Sequence, residues 1–269
     1  MTTATDGLPA AAPSTTATGP AHGATAPAED AAPSPEGSAL PWCADPYADA
    51  LRAGRGPLHL RRPDGRLLPL DIERWCAEAD AVDLDVLRRC EGAVLDVGCG
   101  PGRLVAALAA QGRRALGIDV SEAAVERTVR LGGQALRRSV FEPVPGEGRW
   151  GTALLIDGNL GIGGDPRALL RRVSRLLAPG GLLIAETVPA DVDERVHVRV
   201  QDARGSTGAP FPWARLGTPA LLRDARRAGW HTTDQWTAGN RSFAALRTRS
   251  EGRGVGGRGG GGSRGGGRG

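Results

Sequence analysis

From Ala93 to about Thr248 the chain repeats one rhythm: a short apolar run, a glycine-bearing turn, then an amphipathic segment. "AVLDV" leads through "GCGPGR" into "LVAALAAQG", and "RALGIDV" leads through Ser121 into "EAAVERTVRLG". "GTALLID" leads through a loop into "PRALLRRVSRLLAPGG", after which "LLIAETV" follows. Continuous apolar runs of this kind suit strands buried on both faces, and strands separated by helices run parallel because the crossover returns the chain to the same end of the sheet. The pattern predicts an α/β domain with helices on both faces of a mostly parallel sheet. "ALRRSVF" supplies a further strand, and "TPALLRDARRAGW", "HTTDQW" and "SFAALRT" a closing helix and two strands. Ser121 and Asp165 read as helix N-caps, Asp165 directly before Pro166 at the first helical position.

The flanks lack this rhythm. Between about 40 and 92, "DPYADALR" predicts a short helix, "LHLRRPDGRLLPLD" a hairpin about Asp64-Gly65, and "DIERWCAEAD" and "DLDVLRRC" two more helices. The expected organisation is a helical and hairpin N-terminal cap over 39–92 and a main domain over 93–249, between tails at 1–38 and 250–269. Both tails are too poor in apolar residues to offset the entropy of ordering and read as disordered. The net charge is +4, yet all 34 basic residues are Arg, a bias that points to coding composition rather than to phosphate contacts. The Arg/Gly-rich tail gives weak support to RNA binding, and nucleic acid is otherwise disfavoured. The four cysteines show no Cys-x-x-Cys pair and no histidine at zinc spacing, so reduced thiols and no metal are expected. With no secretory leader pattern and no run near the roughly eighteen apolar residues a span needs, a cytoplasmic protein without a membrane partner follows.

Two glycine-rich loops compete for a ligand. "IDGNLGIGGDP", Ile156 to Pro166, holds four glycines and follows an apolar run, as a phosphate cradle would. Upstream, "DVGCGPG" puts Gly98, Gly100 and Gly102 in alternation behind Asp96, at a strand-to-helix turn where the backbone must approach a ligand without a Cβ in the way. A dinucleotide fingerprint requires G-x-G-x-x-G, and Arg103 occupies its last position; no G-x-x-x-x-G-K-[ST] is present either.

Asp96-Val97-Gly98-Cys99-Gly100-Pro101-Gly102 resembles motif I of the class I S-adenosylmethionine-dependent methyltransferases. Asp119, ending "GID", is similar to the acidic residue that in this family accepts hydrogen bonds from the ribose hydroxyls, and "LLAPGG" resembles the family's turn before its fifth strand. The likeness covers about 90–188, and element order alone carries it to about 248. It implies a Rossmann-like doubly wound, mostly parallel sheet of about seven strands and S-adenosylmethionine as cofactor. Asp96, Gly98, Cys99, Gly100, Gly102, Asp119, Val120 and Asp157 are then expected around that cofactor. The acidic residue that often receives the adenine amino group in the family is replaced by Ser139, with Val140 beside it and Glu142 as the rival acceptor.

In such a family the acceptor meets the methyl group at the end of the fourth strand, which makes Asp157 and Asn159 candidates for acceptor contact, with turn chemistry as the competing account. His197, in the alternating "DERVHVRV", is a candidate general base. Tyr47, His59, Trp75, Phe211 and Trp213 are candidates for an aromatic lid or for core packing of the flanks. The chain lacks the [DNS]-P-P-[YFW] signature of amino-methylating nucleic-acid enzymes, so the expected substrate is a small molecule, methylated on O, N or C by a monomer or homodimer. A polyamine-synthase-like aminopropyltransferase and a non-catalytic cofactor-binding module are the alternatives.

Overall fold

The computed structural model describes residues 45–248; the expected tails lie outside the described residues. The chain enters through α1 (Asp45–Ala53), the hairpin β1 (Leu58–Arg61) and β2 (Leu67–Leu70), and helices α2 (Ile72–Cys76) and α3 (Ala81–Arg88). The main alternation is β3 (Val94–Val97), α4 (Arg103–Ala110), β4 (Ala115–Asp119), α5 (Glu122–Arg130), β5 (Ala135–Arg137), β6 (Trp150–Leu155), α6 (Pro166–Leu176) and β7 (Leu177–Thr187). Strands β8 (Asp193–Asp202) and β9 (Phe211–Leu216), helix α7 (Thr218–Arg227) and the hairpin β10 (Trp230–Ala238) and β11 (Arg241–Thr248) complete it.

Seven strands form one sheet in the order β10-β11-β7-β6-β3-β4-β5. The five strands from β7 to β5 pair in parallel, and β11 inserts antiparallel between β10 and β7. Every residue of β3 is buried, as its position between two neighbours requires. One face of the sheet packs on α6 and α7 through residues such as Leu169, Val173 and Leu221. The other packs on α3 and α4 through Val86, Leu104 and Leu108.

Local chemistry sets the turns. Gly102 enters α4 at φ +89°, and a Cβ there would stand 2.2 Å from Thr128 Oγ1, so this position takes no other residue without displacing α5. Ser121 caps α5, accepting from the Ala124 N–H, and Asp165 caps α6, accepting from the Arg167 and Ala168 N–H groups. The third strand stops at Arg137, short of the expected "ALRRSVF", because the next residues turn on themselves: Ser139 Oγ accepts from the Phe141 N–H, and Glu142 accepts from the Ser139 N–H at 2.8 Å.

A second sheet, β2-β1-β8-β9, is antiparallel throughout. The hairpin about Gly65 forms as the sequence predicts, but it pairs with a segment more than a hundred positions downstream, Leu58 opposite Asp202 and Leu60 opposite Val200. "FPWARL" is its outer strand rather than an irregular lid, and Pro212 is tolerated there because an edge strand leaves one side of its backbone unpaired. Beneath this sheet Tyr47, Leu58, Ile72, Val198 and Phe211 form a third apolar cluster with α1 and α5.

Candidate functional site

The C-terminal ends of β3, β4 and β6, with the turn after β5, open onto a cavity of about 270 Å³, the position where open α/β sheets hold ligands. The Val97–Pro101 turn, Asp119, Val120, Ser139 and Val140 line it, and Tyr47, Trp75, Phe211 and Trp213 close it from the cap side. Four of the five residues proposed as an aromatic lid thus reach the cavity; His59, on β1, does not.

The glycine turn uses its own donors internally. The N–H groups of Gly98 and Cys99 both bond the Ile118 carbonyl, at 2.8 and 3.1 Å, and the Gly102 N–H bonds the Cys99 carbonyl at 3.1 Å. The Gly100 N–H bonds Asp119 Oδ2 at 2.9 Å, and Pro101 has no N–H to give. Asp119 is buried and accepts backbone N–H groups on both oxygens, the second from Ser121 at 2.8 Å. A carboxylate offers about four lone-pair sites, so it retains capacity for hydroxyl donors. Burial raises the Asp119 pKa, and the backbone bonds from Ser121 and Gly100 oppose that.

Of the other residues singled out in the glycine turn, Gly98, Cys99 and Gly100 line the cavity, while Asp96 and Gly102 lie beneath it. Burial pushes the Asp96 carboxyl up to about 7. The Cys99 thiol is likewise raised by burial and held as a neutral packing group. Glu142 does not line the cavity; its carboxylate is spent on the Ser139 N–H.

The loop after β6 behaves as a brace. Asn159 donates from Nδ2 to the Val97 and Gly98 carbonyls at 2.8 and 2.9 Å, fastening this loop to the glycine turn. At Gly161 a Cβ would stand 2.4 Å from the Trp213 ring and 2.5 Å from the Ala214 carbonyl. The missing side chain makes room for β9.

Asp157 adopts φ +59°, rare outside glycine, and both its oxygens are engaged. Oδ1 accepts from Arg74 at 2.5 Å and Oδ2 from Arg103 at 2.6 Å, while its N–H donates to Glu186 at 2.8 Å. Arg103 forks onto Asp83 at 2.7 and 3.0 Å, and Arg241 forks onto Glu186 while bonding Asp83 at 2.8 Å. Three guanidinium groups and three carboxylates thus form one largely buried network under the cavity, and the exposed Asp71 adds a fourth carboxylate on Arg74. Burial alone would raise the Asp83 carboxyl, but Arg103 and Arg241 draw it down to about 2. Only Asp157 of this set was recognisable beforehand as a site residue. Its partners lie 83, 54 and 29 positions away, and one buried Arg among 34 carries no local signal.

His197 lies exposed on β8 opposite Pro212 and lines neither this cavity nor a second one beside it. That second cavity, about 290 Å³, lies between β1, β2 and β9 and the ends of β6 and β7, and shares Leu70, Trp75, Asp157 and Trp213 with the first.

A seven-stranded sheet of this order, with a glycine turn after β3, an acidic residue ending β4 and a cavity across both, defines the Rossmann-like class of nucleotide-binding enzymes. Within that class the chain belongs to the family described as methyltransferase domain, which matches residues 71–232. The fold is similar to that of a SAM-dependent methyltransferase from Bacteroides fragilis, solved in complex with S-adenosyl-L-homocysteine. That likeness has a TM-score of 0.67 and 21% identity, covering 79% of this chain and 98% of the other. It is also similar to that of a SAM-dependent methyltransferase from Methanosarcina mazei, with a TM-score of 0.50 and 15% identity over 65% of this chain and 100% of that one. No curated protein matches the chain.

Proposed function

We propose that this methyltransferase uses S-adenosylmethionine, held in the first cavity, to methylate a small molecule. The observation that carries the reading is Asp119, a buried carboxylate ending β4 that lines the cavity beside the glycine turn and keeps acceptor capacity for sugar hydroxyls.

Asp119 would hold the ribose hydroxyls, and Ser139 with Val140 would border the adenine ring. Bound there, the cofactor supplies an electrophilic methyl group on a sulfonium whose departure needs no protonation. The protein's remaining work is placement and exclusion of water. Tyr47, Trp75, Phe211 and Trp213 form the apolar cover that excludes it. Asn159 acts as a positioning residue by fixing the glycine turn, and Asp157 by fixing the arginines that floor the site. With both its oxygens engaged by arginines, Asp157 is poorly placed to remove a proton, and His197 lines neither cavity, so acceptors that need no base from the protein suit this site. Cys76, Cys90 and Cys99 are free thiols, which supports a reducing, cytoplasmic setting. Among the described residues no helix is long and apolar enough to cross a membrane.

Calorimetric titration with S-adenosyl-L-homocysteine tests the assignment: saturable binding is expected, weakened in Gly100→Val and Asp119→Ala. Absence of binding to the folded wild-type chain overturns it.

A further inference from the structure

The second cavity sets an apolar wall against a charged one. Leu60, Leu68, Trp213 and Leu216, from β1, β2 and β9, supply the apolar side. On the charged side Asp157 follows β6 and Glu186 lies near the end of β7, with Asp71 and Arg74 at the start of α2 beside them. The charges there do not balance. Asp71, Asp83, Asp157 and Glu186 put four carboxylates against the three guanidinium groups of Arg74, Arg103 and Arg241. Three of those carboxylates, Asp71, Asp157 and Glu186, line the cavity, but only Arg74 of the three guanidinium groups does. Arg215, the other cation lining it, is paired with Glu194 at 3.0 Å. The cavity therefore presents a net negative wall.

The carboxylates also keep room for donors. Asp157 accepts one hydrogen bond on each oxygen, from Arg74 and Arg103, and Glu186 Oε1 accepts one from Arg241, while each carboxylate offers about four lone-pair sites. The Asp157 and Glu186 side chains remain 13% and 12% accessible, so an occupant can touch them. Between apolar walls, a cation recovers lost hydration from such a counter-charge, and an anion is repelled by it.

Methyl transfer selects in the same direction. A hydroxyl must shed its proton to become a strong nucleophile, and the resulting oxyanion would add a further negative charge beside the carboxylates. An amine needs no base from the protein, because it loses its extra proton to water and then carries a lone pair. As the N–C bond forms, the C–S bond breaks with its electron pair left on sulfur. The positive charge passes to nitrogen, which keeps its hydrogens as an ammonium until one is released to solvent. Carboxylates beside that nitrogen stabilise the charge where it develops. Asp157 lines both cavities, so the second cavity's negative wall adjoins the place assigned to the cofactor.

We infer that the second cavity binds the methyl acceptor, and that this acceptor is a primary or secondary amine on an apolar frame, its N–H groups facing Asp157 and Glu186. The inference rests on the methyltransferase reading for the transfer step, but the charge preference of the cavity is measurable without it. Three probes of one shape separate the terms: 2-naphthylmethylamine, 2-naphthylmethanol and 2-naphthoate, each titrated calorimetrically into the full-length protein, with and without S-adenosyl-L-homocysteine.

The amine is expected to bind about tenfold more tightly than the alcohol, the scale of a charge-assisted hydrogen bond, and the carboxylate more weakly than either. Glu186→Gln, which keeps the shape and removes the charge, should bring amine and alcohol to within about threefold of each other. Asp71→Asn retains a good N-cap for α2 and should lower amine affinity about twofold with the alcohol unchanged. Leu68→Trp, which fills the cavity from half-buried β2, should abolish amine binding while S-adenosyl-L-homocysteine binding persists, showing that the variant is folded. An amine no tighter than the alcohol, an amine preference unchanged in both charge variants, or no binding of any probe overturns the inference and leaves the cofactor assignment standing. Failure of S-adenosyl-L-homocysteine to bind the wild type overturns the cofactor assignment instead, and the titrations without it still read the charge preference.

Discussion

The two cavities share a wall but are built by opposite means. The floor of the first is made of backbone, a glycine turn and strand ends, with Asp119 bonding groups 19 and 2 positions away. The second is made of side chains drawn from across the chain, and the network beneath both, with Arg103 lining the first and Arg74 and Glu186 the second, joins Asp83 to Arg241 over 158 positions. The difference teaches that the floor of the first cavity is specified locally, where few substitutions are tolerated. The second depends on long-range electrostatic matching, and its network is expected to fail as a unit when one member is lost.

The largest expected effect breaks the second region. Asp83 is 1% and Arg103 4% exposed in their side chains, so Asp83→Ala leaves two guanidinium groups facing a buried void. Removing one partner of a buried pair typically costs about 3–5 kcal/mol. Urea denaturation should show a loss of that size, and Asp83→Ala combined with Arg103→Met should recover part of it. A loss no greater than that of an exposed pair such as Asp85–Arg88 would mean that the network is not a unit.

The two regions also differ in the sign of their pH response. Asp83, held near 2, favours the folded state above its unfolded value near 4, and that contribution disappears as pH falls toward 2. Asp96, pushed up to about 7 under the glycine turn, does the reverse: the folded chain retains a proton that the unfolded chain has already released, so stability falls as pH rises from about 4 to about 7 and then levels. Asp96→Asn should therefore be more stable than wild type at pH 8, by on the order of a few kcal/mol, and equal to it at pH 4. Parallel stability profiles for the two proteins would show that Asp96 does not titrate in this range.

Asp119→Ala sharpens the contrast from the other side. It removes the acceptors proposed for the ribose, so affinity for S-adenosyl-L-homocysteine should fall by about 2 kcal/mol, some thirtyfold by calorimetry. Unchanged affinity would place the sugar elsewhere.

What the sequence disclosed follows the same division. The parallel alternation, the Ser121 and Asp165 caps, the hairpin at Gly65 and the Asp119 strand end were legible because their causes lie within a few residues. The outer strand β9 was not, since Pro212 interrupts its alternation and only the pairing with β8 rescues it. The network was illegible because ion pairing depends on tertiary proximity and every cation is the same residue. His197 shows the converse: a titratable residue in a suggestive alternating run, placed by the pleat on the exposed face.

The smallest effect concerns the loop where the two cavities meet. Asp165 accepts from two α6 N–H groups at 2.9 and 3.1 Å, and Asp165→Ala should cost about 1 kcal/mol, as loss of an N-cap does. Asp165 lines neither cavity, so affinity for S-adenosyl-L-homocysteine should stay within about twofold of wild type. Asn159→Ala, six residues earlier, keeps the cap and removes the two bonds to the glycine turn, so it should weaken cofactor binding more than it lowers stability. If instead both variants lose stability and neither loses affinity, the loop is only a connector between β6 and α6, and the brace assigned to Asn159 is wrong.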